Sequence, residues 1–173
     1  MPRPSAPAGR GCERRLQRGG DVAPKLMQLT RFSDYGLRLL MYLAHHQGRA
    51  QSVTIGEVAE RFAISRHHLV KVAHFLTRQG WVRGSRGRGG GLALSRAPDG
   101  YRLGQLLSVL EGQGAVVDCA EPPCMLAGGC RLKGALEAAM AQFYMQLDRH
   151  TLADLVQAPL PDQWQRLPLL RAP

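Results

Sequence analysis

The sequence lacks several features that would assign it to common classes of protein. No stretch approaches the roughly eighteen consecutive apolar residues of a membrane-spanning helix, so no membrane association is expected. No apolar segment follows the arginines near the N-terminus, so we expect a cytoplasmic protein without a secretory signal. Paired carboxylates, a nucleophile elbow and a Gly-Lys-Ser/Thr phosphate loop are all missing, so no enzyme is predicted.

Positive charge is abundant but unevenly distributed. The chain has 173 residues and a formal net charge of +10. Residues 1–26 carry six basic and two acidic side chains, and residues 66–102 carry eight basic and one acidic. The rest of the chain is close to neutral. Because the internal excess is concentrated in one block, it indicates a surface for a polyanionic partner.

Both ends of the chain differ in composition from its centre. Residues 1–26 are rich in proline, glycine and arginine and have no periodic apolar face, so a disordered basic extension is predicted. A well-patterned segment begins at Met27, which we expect to be the natural start. Residues 159–173 contain four prolines and are predicted to form a loose C-terminal tail.

Residues 27–100 are predicted to form a DNA-binding domain. Apolar residues at helical spacing predict a first helix from Ser33 to about His46. Thr54 and Glu57 form a capping box that begins a second helix, and Ser65 is a suitable N-cap for a third. Short apolar segments at 81–82 and 92–94 flank a glycine-rich turn and predict a β-hairpin. Three helices followed by a hairpin are typical of a winged helix-turn-helix.

Residues 101–158 are predicted to form a mostly helical region with a cysteine loop. Leucines between 103 and 110 predict a fourth helix, and a loop follows from about Gly112 to Gly129. A long last helix carries an apolar stripe from Leu136 to Leu147. The stripe is either core or the seam of a two-fold dimer. The predicted fold class is therefore mostly α, with a β-hairpin wing and a long C-terminal dimerisation helix.

The third helix and the hairpin contain the candidate DNA-binding residues. The first residues of a recognition helix meet base edges, arginine suits guanine and lysine suits phosphate. Glycines among the wing arginines allow close approach to a phosphate. Double-stranded DNA is the predicted partner, and the alternative is a solvated basic surface. The candidates are Ser65, Arg66, His67, His68, Lys71, Arg83, Arg86, Arg88 and Gly89.

Three of the four cysteines lie in one loop, as Cys119, Cys124 and Cys130, with the spacing C-x4-C-x5-C. An odd group of three argues against a disulfide framework. Zinc normally prefers a tighter C-x2-C pair, so the spacing favours an iron–sulfur cluster, either 2Fe-2S or 4Fe-4S. The alternative is three free thiols. Such a cluster also needs a fourth ligand or an open coordination position.

With these features the chain resembles a known family, the iron–sulfur winged-helix repressors. The family includes NsrR, the nitric-oxide sensor, and IscR, the regulator of cluster assembly. The resemblance covers roughly residues 27–155, and the cysteine spacing is most similar to that of NsrR. Its carriers are the stretch 29–35, the helix residues 68–72, the wing residues 86–92 and the cysteine loop.

The resemblance implies a homodimer that binds palindromic operator DNA as a repressor and is released when nitric oxide damages its cluster. It also implies that Asp34 of the partner subunit is a possible fourth cluster ligand, the alternative being that Asp34 only favours the positive end of its helix.

The sequence also allows other functions. One alternative is a redox or iron–sulfur-assembly regulator of the same family. Another is a cluster-carrier protein, in which the basic helix and wing would have no role. A third is a winged-helix regulator without a cluster that senses through thiols or a small molecule.

Overall fold

The computed structural model describes residues 28–49, 51–85, 87, 89–112, 116–117, 119–121 and 123–157. Its helices are α1 (Arg31–His45), α2 (Ile55–Phe62), α3 (Arg66–Arg78), α4 (Leu103–Glu111), α5 (Arg131–Leu147) and α6 (Leu152–Gln157). Two strands, β1 (Val82–Gly84) and β2 (Leu92–Leu94), form a hairpin, and a 3-10 turn covers Pro98–Gly100. The mostly helical fold with one antiparallel hairpin is confirmed. The predicted extension at 1–26 and the tail at 159–173 lie outside the described residues.

Helix α1 begins two residues before the predicted position. Thr30 is its N-cap, and the Thr30 hydroxyl accepts a 3.2 Å hydrogen bond from the Ser33 amide. Ser33 is fully buried, and its hydroxyl lies 2.9 Å from that of Thr30. The Thr30 hydroxyl thus satisfies one of the amides in the first turn of the helix, where free amides need partners.

The predicted capping box at the start of α2 is present. The Thr54 hydroxyl accepts a 3.1 Å hydrogen bond from the Glu57 amide. At the other end of α2, Ala63 adopts a left-handed conformation with φ of 51°, which turns the chain towards α3. A left-handed residue ends many helices, although glycine is more usual there.

The hairpin is short and is continued by a third segment. Val82 pairs with Leu94 and Gly84 with Leu92 in antiparallel register. Leu92 also donates a 2.7 Å amide hydrogen bond to the carbonyl of Val53, just before α2. The hairpin is therefore attached to the helix-turn-helix at its base.

One hydrophobic core is shared by helices α1–α4, helix α6 and the hairpin. The four inward-facing apolar residues of α3 are buried: Leu69, Val72, Ala73 and Leu76. Helix α1 packs against α3, α4 and α6. In particular, Gly36 of α1 allows Leu110 of α4 to approach so closely that a Cβ there would lie 2.8 Å from its side chain. Helix α1 is thus the central element of the fold.

Helix α4 obtains its N-terminal cap from a distant residue. Asp148, just after α5, accepts a 2.9 Å hydrogen bond from the Gln105 amide. The approach requires Gly104, since a Cβ at this position would lie 2.7 Å from the Asp148 carboxylate and closer still to the Tyr144 carbonyl. Arg102, the N-cap residue of α4, makes no side-chain capping hydrogen bond. Asp148 at the end of α5 supplies that bond instead.

Helix α6 was not predicted from the sequence. It follows a bridge between Arg102 and Thr151, where the Leu152 amide donates to the Tyr101 carbonyl at 2.9 Å. Leu152 is fully buried in the common core. Among the helices in the described part of the chain, none combines the length and hydropathy that a membrane span requires.

Candidate nucleic-acid interface and cysteine loop

The outward face of α3 carries the predicted DNA-binding side chains. Ser65, Arg66, His67, His68 and Lys71 are all exposed. Ser65 occupies the N-cap position as predicted, but its hydroxyl makes no capping hydrogen bond. That hydroxyl therefore remains available to an external acceptor or donor. The first two turns of α3 combine two cationic side chains, two imidazoles and one hydroxyl on a surface opposite the core.

Two further exposed residues on α3 were missed by the sequence analysis. His74 is not among the candidate residues, yet it is exposed one turn after Lys71. Val70 is exposed as well, although it is apolar. The helical period itself carries the signal, because residues 67, 71, 74 and 78 follow one another along a single face opposite the buried positions.

Aromatic contacts from α1 fix the position of α3. The rings of Phe32 and Phe75 meet edge to face with centroids 5.2 Å apart. The Tyr35 ring lies 6.2 Å from that of His68. The edge-to-face pair of Phe32 and Phe75 adds about 1 kcal/mol beyond burial. Any displacement of the N-terminal half of α1 would therefore also displace α3.

The hairpin begins immediately after α3. The Trp81 amide donates a 3.0 Å hydrogen bond to the Leu76 carbonyl, and α3 contacts β1. Arg83 is exposed on β1. Gly89 lies in the turn with φ of +84°, a conformation that side chains disfavour. The predicted contacts at Arg86 and Arg88 lie outside the described residues.

A buried tyrosine ties the far end of the hairpin to its start. Tyr101 is fully buried and its hydroxyl donates a 2.7 Å hydrogen bond to the Trp81 carbonyl. The same hydroxyl accepts from the Arg96 amide at 3.2 Å. The Arg96 guanidinium lies over the Tyr101 ring, 4.5 Å from its centre. The segments before and after the wing are therefore held together from inside.

A charged cluster joins the end of α1 to α2. The Glu57 carboxylate accepts a 2.8 Å hydrogen bond from the Tyr42 hydroxyl and pairs with Arg49. Burial raises the pKa of Glu57, but the bonds from Arg49 and Tyr42 outweigh it, so the pKa is lowered overall. Burial and the neighbouring carboxylate raise the pKa of Tyr42. The cluster anchors the first helix of the helix-turn-helix to α1.

The three loop cysteines are free thiols, and each is partly buried. The Cys124 amide donates to the Cys119 carbonyl at 3.1 Å, and the Ala127 amide donates to the Cys124 carbonyl at 3.0 Å. Cys130 is the N-cap residue of α5 and makes no side-chain capping bond. Local turns thus hold the backbone of this loop, and the Cys130 sulfur is not engaged as a cap.

The donor chemistry of the loop fits an iron–sulfur cluster. Three free thiols on one short segment are soft ligands, and the positive end of α5 at Cys130 would favour a negatively charged group. Within the described ranges, however, no three His, Cys, Asp or Glu side chains converge where they could hold a metal ion. Binding would therefore require the loop to draw its thiols together.

Asp34 has a partner within its own chain. Its carboxylate accepts a 2.7 Å hydrogen bond from the Arg38 guanidinium, and both side chains are partly exposed. It also lies in the first turn of α1, where negative charge is favourable. In the single chain Asp34 therefore stabilises α1.

The apolar stripe of α5 lines an open groove. Met140, Phe143 and Leu147 face residues of α1 and α4 across a groove of about 600 Å³. No residue of α5 is buried, and Leu132 is 64% exposed. Within the described residues, the stripe therefore does not belong to the hydrophobic core.

These features define the class of protein: a winged helix-turn-helix with an exposed basic recognition helix. The Rrf2 family, described as iron-dependent transcriptional regulators, matches residues 29–158. The chain belongs to this family. Members of the family are DNA-binding transcriptional regulators and not enzymes. The prediction of a DNA-binding transcriptional regulator is therefore confirmed.

Solved structures of regulators share this fold. CymR (YrzC), the global cysteine regulator of B. subtilis, is 26% identical with a TM-score of 0.64, covering 78% of this chain and 100% of its own. IscR of T. potens is 27% identical with a TM-score of 0.60, covering 75% of this chain and 86% of its own. CymR of Staphylococcus aureus, at 24% identity and a TM-score of 0.60, covers 76% and 99% and shares the fold.

Proposed function

We propose that this protein is an NsrR-type repressor that binds palindromic operator DNA as a homodimer and carries an iron–sulfur cluster on Cys119, Cys124 and Cys130. The observation that carries the proposal is the joint presence of an exposed basic α3 and three free loop thiols in one Rrf2 chain. Asp34 of the partner subunit is the proposed fourth ligand. The cluster, when bound, supplies the group with which nitric oxide reacts.

DNA contact is proposed through α3 and the wing. Arg66 and His67 at the start of α3 face outward, as residues that meet base edges must. Lys71 and Arg83 are exposed and suited to phosphates. The aromatic pairs with α1 and the Tyr101 hydroxyl hold both elements in place. A recognition helix that is already held in position reduces the ordering cost of binding.

The homodimer is proposed to form through α5. Helix α5 contains 17 residues, about 26 Å in length, and exposes apolar side chains such as Leu132 and Met145. A second copy would cover these residues and the open groove beside them. Two-fold symmetry would then present two α3 helices to the two halves of a palindrome.

A chain of packed contacts supports communication from the loop to α3. Helix α5, whose N-cap residue is Cys130, packs against α4 at Gly104. Helix α4 contacts the start of α1, where the Thr30 amide donates to Glu111 at 2.8 Å. Helix α1 in turn contacts α3 through Phe32 and Tyr35. Loss of the cluster would reach the DNA-binding surface by displacing α5 and α1.

Purification of the protein under anaerobic conditions tests this proposal. We expect a coloured homodimer containing iron and sulfide that shifts double-stranded DNA from upstream of its own gene. Nitric oxide should bleach the protein and release the DNA in parallel. Cys124→Ala should lose both iron and regulated binding, whereas Cys12→Ala, which removes a thiol outside the loop, should retain both.

Two other results would support different functions. A colourless protein that binds DNA without iron or sulfide would favour a regulator that senses through its thiols. The free cysteines and the similarity to CymR support this second function. A coloured protein without specific DNA binding would instead favour a cluster carrier. If nitric oxide leaves DNA binding unchanged while oxidants release it, the redox or assembly regulator is favoured.

A further inference from the structure

Val70 is an apolar residue on a helix face that is otherwise polar. Its side chain is 46% exposed and does not belong to the core cluster or to the residues packed against it. Within the described residues, the other exposed large apolar side chains all lie outside 31–102. They are found before α1, in the cysteine loop or on α5. Val70 is therefore separate from the apolar surface that a second copy would cover.

The position of Val70 on α3 places it among the proposed DNA contacts. It follows Arg66 by four residues and His67 by three, so it lies one turn further along the same side of the helix. Lys71 and His74, both exposed, lie beside it. An apolar side chain in this position would be enclosed by polar neighbours when the helix meets DNA.

The chemistry of the major groove restricts what Val70 can contact favourably. Nearly every group on the base edges there is a hydrogen-bond donor or acceptor, and the C5-methyl of thymine is the apolar exception in unmodified DNA. A valine side chain pressed against a donor or acceptor would remove water from it without replacing a hydrogen bond. Against a methyl group, the same contact buries apolar surface on both sides.

We infer that Val70 is a specificity-determining residue that contacts a thymine methyl group in each half of the operator. The inference rests on the proposed DNA-binding function and adds a base preference to it. Arg66 would select guanine at a neighbouring position through its guanidinium, whereas Val70 would select thymine through its methyl groups.

The test removes the methyl group from the DNA and the valine from the protein. Double-stranded DNA is first selected from a random library with the wild-type protein. Each thymine of the selected site is then replaced in turn by deoxyuridine, which pairs identically but lacks the methyl group. Binding is measured for the wild type, for Val70→Ala and for Gln79→Ala, an exposed control at the end of α3.

We expect one thymine per half-site at which deoxyuridine weakens wild-type binding about fourfold, the value of burying one methyl-sized group. The same replacement should leave Val70→Ala unaffected and should weaken Gln79→Ala as it does the wild type. Equal losses in all three proteins, or no loss at any thymine, would overturn the inference. If the wild type selects no sequence at all, the proposed function fails first, and the two failures are thus distinguishable.

Discussion

The hydroxyl of Tyr101 donates a 2.7 Å hydrogen bond to the carbonyl of Trp81, across twenty residues that include the whole wing. The Tyr101 ring is fully buried, so this bond is shielded from water. It connects the end of α3 to the segment that leads into α4. The recognition helix, the wing and the rest of the fold thereby share one internal anchor.

Replacing Tyr101 with phenylalanine should destabilise the protein by about 1–2 kcal/mol, because the Trp81 carbonyl and the Arg96 amide would lose a shared partner. Urea unfolding followed by circular dichroism measures the loss. Tyr101→Ala, which also removes the ring, should cost about 3–5 kcal/mol. An unchanged unfolding midpoint for Tyr101→Phe would show that the hydroxyl contributes nothing to the anchor.

Two glycine substitutions should have opposite effects. Gly104→Ala places a Cβ against Tyr144 and Asp148, and should destabilise the fold by about 1–3 kcal/mol by separating α4 from α5. Gly134→Ala, on α5 with no atom within 4 Å of the added Cβ, should stabilise by about 0.5–1 kcal/mol. Thermal unfolding of the two variants side by side checks the prediction. Equal shifts would refute the close contact at Gly104.

Glu57→Gln should lower stability at neutral pH by about 1 kcal/mol, since the Tyr42 and Arg49 partners would lose a charged acceptor. Because the folded state lowers the pKa of Glu57, its stabilising effect is complete above its ordinary value of 4.5 and is lost as the pH falls through the lower folded value.

Urea titrations between neutral and acidic pH measure that dependence. The gap between wild type and Glu57→Gln should narrow below pH 4.5, where the wild-type carboxylate takes up its proton. Glu60→Gln, an exposed control on the same helix, should follow the wild type throughout. A gap that stays constant down to the acid end would mean that the carboxylate charge is not the source of the stabilisation.

Arg83→Ala should weaken DNA binding and reduce the slope of log affinity against log salt by about one, as expected for the loss of one phosphate contact. The same result is expected for Arg88→Ala in the wing. Arg149→Ala, an exposed arginine beyond the end of α5, serves as the control and should leave the slope unchanged. Titrations at several salt concentrations decide the matter, and an unaltered slope for both wing variants would place the hairpin away from the DNA backbone.

Much of the helix-turn-helix could be predicted because its determinants are local. The helical spacing of Leu69, Val72 and Leu76 identified the buried face of α3, and the pair Thr54 and Glu57 marked the start of α2. Caps and periodicity act within one or two turns of the chain, so their effect is visible in consecutive residues. The glycines of the wing likewise predicted a tight turn.

Contacts between distant parts of the chain were decided by the tertiary structure. Nothing near Leu103 shows that Asp148 would cap α4, and the small size of Gly104 acquires its meaning only when α5 packs against it. Helix α6 has little periodic signal of its own, and it forms where Leu152 enters a core built by other elements.

The sequence by itself determined the class of fold, the basic block at α3 and the wing, and the three cysteines of the loop, because composition and spacing are properties of the chain alone. Only the tertiary structure decided that Val70 is exposed although it is apolar, and that Asp34 pairs with Arg38. Exposure and pairing depend on what packs against each helix, and that information is distributed over the whole chain.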